Sequence, residues 1–176
     1  MTHAQLIKAA EGWLRSRRCR IVLSEQTADS GEVPDVIGWR PDCRSLVIEC
    51  KVSRADFFGD QNKLVRRKPH LGMGCERYYL VPKGLLKTEE LPKGWGLLEF
   101  ARREIVVSVN ACRQNQRSES GMISEMELLL ASLRRVEVRI EPQTITDFLK
   151  WKNRLAEYNG GRLPRGLMTP EQELIS

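Results

Sequence analysis

Residues 33–52 read Val33-Pro34-Asp35-Val36-Ile37-Gly38-Trp39-Arg40-Pro41-Asp42-Cys43-Arg44-Ser45-Leu46-Val47-Ile48-Glu49-Cys50-Lys51-Val52. Two runs rich in Val, Ile and Leu, 33–39 and 45–52, flank Arg40–Arg44. Pro41 and Asp42 in that segment are turn formers, so the stretch predicts a β-hairpin. Side chains alternate faces along a strand. In the second run Leu46, Ile48 and Cys50 share one face and suit a core. Glu49 and Lys51 share the other, about 7 Å apart along the strand. In the first run Asp35 stands beside Pro34 among apolar neighbours. Charges inside such strands need compensation, because burying an unpaired charge costs several kcal/mol.

Outward from the hairpin, Thr2-His3-Ala4-Gln5 forms a capping box, and Leu6, Ile7, Ala10, Trp13 and Leu14 follow at helical spacing, which predicts a helix over 3–17. Ile21-Val22-Leu23 reads as a short strand and Thr27–Glu32 as a loop. Ser53, with Asp56 three residues on, caps a helix over 54–66 that carries Phe57, Leu64 and Val65 inward. Arg77–Val81 reads as a strand and 82–94 as turns. Gly96–Phe100 and Glu104–Val109 read as a second hairpin. A polar loop follows over 110–122. Ser124-x-x-Glu127 then caps a helix through Leu133, and Thr144-Ile145-Thr146-Asp147 opens a last one, stopped near Asn159-Gly160-Gly161. The division drawn from this pattern is a core over 1–110 and a helical extension over 111–176.

At 176 residues with a net charge of +6, the chain is of one-domain size and favours an anionic partner, nucleic acid first. No apolar run reaches the roughly 18–20 residues of a membrane span, so no membrane partner is expected. The N-terminal residues carry no signal-peptide pattern. Five cysteines, none spaced C-x-x-C, argue against a disulfide framework or a zinc ribbon, and two histidines exclude a His-rich metal site. The expected location is the cytoplasm, with reduced thiols.

Asp35, Glu49 and Lys51 together suggest a specific chemistry. A phosphodiester carries a negative charge that repels hydroxide. Mg²⁺, with Mn²⁺ as a substitute, takes hard oxygen ligands and keeps several waters. Asp35, Glu49 and the backbone carbonyl of Cys50 would hold it and leave room for water and a phosphate oxygen. The metal would acidify its water and offset charge on the transition state, with Lys51 positioning the water or stabilising the developing charge. A salt bridge between Lys51 and Glu49 alone is the bland reading, but it leaves Asp35 as a second acid for a single base.

Pro34-Asp35, thirteen intervening residues and then Glu49-Cys50-Lys51 resemble the signature of the PD-(D/E)XK nuclease superfamily. The resemblance implies a restriction endonuclease-like α/β core: a mixed central sheet flanked by helices, here with a helical C-terminal extension. The predicted order of helix, three strands, helix, strand is the one it calls for. Over residues 20–109 the chain looks more narrowly like MmcB-like DNA-repair proteins, through Glu49–Lys63, Glu76–Pro82 and Leu91-Pro92-Lys93-Gly94-Trp95-Gly96-Leu97-Leu98. The C-terminal third lies outside this resemblance.

The resemblance implies Mg²⁺-dependent hydrolysis of DNA, in repair, recombination or phage DNA processing, with catalytic Asp35, Glu49 and Lys51. Many such nucleases carry an extra carboxylate, for which Glu25 and Glu11 are candidates. Asp56, Asp60 and Lys63 share one face of the helix after Lys51, either as a solvated stripe or as a layer holding Lys51. Arg66, Arg67 and Lys68 form a cationic cluster suited to DNA phosphates. Cutting both strands calls for two sites, so a homodimer is an open expectation. The class set against a nuclease is a non-catalytic DNA-binding accessory protein on the same fold. A small-molecule enzyme with a carboxylate–metal site is the third class, and the lack of a Gly-rich phosphate loop counts against it.

Overall fold

The structure, a computed structural model, describes residues 1–25, 33–61, 72–113 and 118–139, with positions 149 and 152 besides. It divides into two compact units, Met1–Leu128 and Leu129–Ser176. In the second, the described residues are the end of one helix and the two single positions.

The first unit is an α/β structure built on one six-stranded mixed sheet. In chain order its elements are α1 (His3–Ser16), β1 (Ile21–Ser24), β2 (Val36–Trp39), β3 (Ser45–Cys50), α2 (Arg54–Asp60), β4 (Glu76–Pro82), a 3-10 turn (Thr88–Glu90), β5 (Gly96–Ala101) and β6 (Glu104–Val109). A further helix, α3 (Glu119–Arg139), begins in this unit. The strands lie side by side in sequence order. β2 pairs antiparallel with both β1 and β3, β4 runs parallel to β3, β5 runs parallel to β4, and β6 closes an antiparallel hairpin with β5. The carboxyl ends of β1, β3, β4 and β5 therefore share one end of the sheet.

Both faces of the centre are covered, which is why all six residues of β3 are buried. On one face Leu6, Ile7, Ala10 and Leu14 of α1 pack on Val36, Leu46, Ile48, Cys50 and Leu80. Gly38 lets Cys19 come close; a Cβ there would stand 2.9 Å from that of Cys19. On the other face Phe57 of α2 packs with Tyr79, Val81, Trp95 and Leu97. The alternation in β3 thus has Leu46, Ile48 and Cys50 under α1. Glu49, paired across the parallel ladder with Tyr79, turns to the α2 side.

The capping box of α1 forms, with Thr2 Oγ1 accepting from the Gln5 amide and Gln5 Oε1 from the Thr2 amide. Two expectations need correction. The first strand of the hairpin starts at Val36, so Asp35 lies at its mouth in a bend rather than inside it. Pro34 has no N–H to give to the ladder, and the chain enters the sheet only after it. The polar loop expected over 110–122 is cut short, because α3 begins at Glu119 rather than after Ser124. Ser118 acts as the cap, its Oγ accepting from the Gly121 amide at 3.1 Å, while Ser124 lies inside the helix and bonds the Ser120 carbonyl. The remainder of the helix expected over 54–66, the 27–32 loop and nearly all of the 144–158 helix lie outside the described residues. Among the described residues, no helix is long and apolar enough to cross a membrane.

Candidate active site

At the carboxyl end of β3 the chain turns from strand to helix within three residues. Lys51 donates its amide to the Leu80 carbonyl at 3.0 Å, which keeps it in line with β3, and the residue is 5% exposed. Ser53 then caps α2, its Oγ accepting from the Asp56 amide at 3.2 Å. This tight strand–cap–helix junction folds α2 back over the end of β3 and brings three carboxylates around one ammonium. Lys51 Nζ lies 3.6 Å from Glu49 Oε2, 3.4 Å from Asp60 Oδ1 and 3.9 Å from Asp56 Oδ1. Glu49 and Asp60 are buried. Tyr79, opposite Glu49 in the ladder, donates its hydroxyl to Asp60 Oδ2 at 2.9 Å. Asp56 Oδ2 accepts from the Val52 amide at 3.3 Å, which ties the turn together.

Asp35 joins this group through the backbone. Its Oδ2 accepts from the Cys50 amide at 2.7 Å. That amide faces β2, two residues beyond Ile48, the last ladder partner of Val36, so the carboxylate replaces the carbonyl a longer β2 would have supplied. The other oxygen, Oδ1, lies 3.5 Å from His3 Nε2 at the start of α1. The Asp35 carbonyl accepts from the Glu25 amide at 3.0 Å. Asp35 is therefore held on both sides, with one fifth of its side chain exposed.

The electrostatics follow from this packing. Burial opposes the charge on Lys51, but the carboxylates of Glu49, Asp60, Asp35 and Asp56 outweigh it and hold the ammonium above its usual range. Lys51 is a fixed cation here. Burial pushes the Cys50 thiol well up, and the Asp35 and Glu49 carboxylates add to the effect, so Cys50 is an inert filler. Three carboxylates thus face one ammonium, with Asp35 adding to their field. Among the described residues no three Cys, His, Asp or Glu side chains converge as a ready-made metal cage. The donor chemistry nevertheless suits a hard cation: carboxylate oxygens in surplus, no available thiolate, and backbone oxygen nearby.

The structure thus brings together Asp35, Glu49, Cys50, Lys51, Asp56 and Asp60. Glu11 contacts neither Asp35 nor Lys51 directly; its Oε1 accepts from Ser24 Oγ at 2.6 Å, at the end of β1, and its Oε2 lies 3.6 Å from Arg15. Glu25 is exposed just beyond β1, with a φ of 50°. Lys63, Arg66, Arg67 and Lys68 lie outside the described residues. His3 and Tyr79 were missed by sequence reasoning. Nothing local marks His3, which reaches Asp35 only because α1 packs on the sheet. Tyr79 becomes visible only once the parallel register of β3 and β4 is known.

No protein-family model and no curated protein matches the chain. Among solved structures it is similar to the SPO1766 protein of unknown function from Silicibacter pomeroyi, with a TM-score of 0.61 and 23% identity, over 81% of this chain and 93% of that one. That likeness is one of fold.

Proposed function

We propose that this chain is a metal-dependent deoxyribonuclease of the PD-(D/E)XK type, with a restriction endonuclease-like core, that hydrolyses phosphodiester bonds in DNA repair, recombination or phage DNA processing. One observation carries the reading: a buried lysine ringed by Glu49, Asp56 and Asp60, with Asp35 bonded to the amide between Glu49 and Lys51. An acid excess of this kind at the carboxyl ends of parallel strands is where open α/β sheets place their ligand sites.

Asp35, Glu49 and the Cys50 carbonyl would hold Mg²⁺ or Mn²⁺, which supplies an acidified water and a positive charge facing the phosphate. Lys51, kept protonated by its neighbours, holds positive charge where negative charge builds up on the phosphate oxygens. Asp60, itself oriented by the Tyr79 hydroxyl, fixes the Lys51 side chain in place. His3 and the Cys50 amide orient Asp35.

The test is cleavage of plasmid, nicked, branched and single-stranded DNA with Mg²⁺ or Mn²⁺. Cutting should occur with the metal and stop with EDTA. Folded Lys51→Ala and Asp35→Ala proteins should lose at least about a hundredfold in rate. Activity that survives the chelator, or either substitution, overturns the mechanism.

The second reading is the non-catalytic DNA-binding accessory protein. It draws on the fact that the site is already tied internally, Asp35 to a backbone amide and Lys51 to three acids. It predicts salt-sensitive DNA binding with no cutting of any of these substrates.

A further inference from the structure

The opposite end of the sheet, at the amino end of β3, has an unlike character. Between positions 15 and 44 the chain carries Arg15, Arg17, Arg18, Arg20, Arg40 and Arg44 and no lysine. Backbone pairing gathers four of them. Arg20 donates its amide to the Trp39 carbonyl at 3.0 Å, Arg40 donates its amide to the Arg44 carbonyl at 2.8 Å, and Arg40 Nε donates to the Arg17 carbonyl at 3.2 Å. Acids account for part of the charge. Glu11 faces Arg15, Glu76 faces Arg40, and Asp42 is bonded to Arg44. Arg17, Arg18 and Arg20 are exposed and have no acid partner among the described residues; Arg17 lies over the Trp13 ring at 4.9 Å.

Arg18 is the telling position. The end of α1 is a Schellman motif, with the Arg18 amide donating to the Arg15 carbonyl and the Cys19 amide to the Leu14 carbonyl, each at 3.1 Å. Its central residue takes a left-handed conformation, φ 67° at Arg18, that favours glycine. Glycine would fit that conformation without strain, so the charge at position 18 can be removed without cost to the fold.

We propose that this arginine face, with Arg17, Arg18 and Arg20 in front and Arg40 and Arg44 behind them, is a docking surface for the phosphate backbone of duplex DNA, separate from the acid cluster. Planar guanidinium forks match phosphate oxygens two at a time, and a face built of arginine without lysine suits that partner. The five residue steps of β3 put the two ends about 17 Å apart. Binding here and chemistry at Lys51 are therefore separable, and the proposal stands without the nuclease reading.

The experiment uses the full chain in EDTA, where no cutting occurs, and a fluorescent duplex of about two helical turns. Wild-type protein should bind with an affinity that falls steeply with salt. The combined Arg17→Gln, Arg18→Gln, Arg20→Gln variant should bind at least about tenfold more weakly, with the slope of log affinity against log salt reduced by two to three. Replacing two exposed arginines outside this face, in the combined Arg102→Gln, Arg103→Gln variant of the β5–β6 turn, should leave this binding unchanged. Arg18→Gly keeps the fold question apart from the binding question: it should weaken binding while leaving the melting temperature unchanged or raised. Wild-type affinity and slope in the triple variant overturn the proposal. So does a face that binds phosphatidylserine vesicles through the same arginines and leaves the duplex unbound.

Discussion

Asp60 shows how much one side chain carries at this site. It is buried, faces the Lys51 ammonium at 3.4 Å and accepts the Tyr79 hydroxyl at 2.9 Å. Removing one partner of a buried ionic group leaves the other undercompensated. Asp60→Ala is therefore expected to destabilise the protein by about 3 kcal/mol, read as a lower urea midpoint. An unchanged midpoint would mean that Lys51 is held by Glu49 and Asp56 alone. The alternation of β3 put Glu49 and Lys51 on one face and Cys50 on the other, and the structure agrees. Asp35 was misplaced because its apolar neighbours look like strand, whereas the ladder begins only at Val36, after Pro34. Its bond to the Cys50 amide depends on register, which no local pattern records.

At the scale of elements, the first turns of α3 are fastened by a single carboxylate. Glu125 is buried and accepts from Trp39 Nε1 at 2.9 Å, Ser45 Oγ at 2.8 Å and the Gly74 amide at 2.8 Å. Meanwhile Met126, apolar and next in sequence, is 57% exposed. The helix start was misread because Ser124-x-x-Glu127 matches a capping box, whereas Ser118 is the residue that caps. Glu125→Ala leaves three buried donors without that acceptor, so a loss of about 3 kcal/mol is expected in chemical denaturation. Trp39 itself is 7% exposed and belongs to the core. A smaller tie links α2 to the 3-10 turn, where the Arg54 guanidinium binds the Glu90 carboxylate. That bond, with help from the Lys87 amide, holds the Glu90 carboxyl down to about 2. A carboxyl depressed on folding contributes stability above its unfolded value, near 4.3, and loses it as pH falls through 2. The melting-temperature difference between wild type and Glu90→Gln should therefore be constant above about pH 5 and vanish near pH 2. A difference independent of pH would show that the pair contributes through packing alone.

For the whole molecule, the order of elements and both hairpins were legible from periodicity and turn chemistry. That β3, β4 and β5 run parallel was not, because parallel pairing joins segments separated by connections that carry no pairing signal of their own. Yet this topology gathers Glu49, Asp56 and Asp60 around Lys51 at the carboxyl end of β3 and places Arg20, Arg40 and Arg44 at its amino end. The central claim concerns the acid end: that Asp35 and Glu49 are there to hold a hard cation beside Lys51. A crystal of the protein soaked in Mn²⁺ tests it most directly. The account predicts an anomalous peak bounded by carboxylate oxygens of Asp35 and Glu49. Well-ordered Asp35, Glu49 and Lys51 side chains with no peak between the two acids at saturating Mn²⁺ would contradict it.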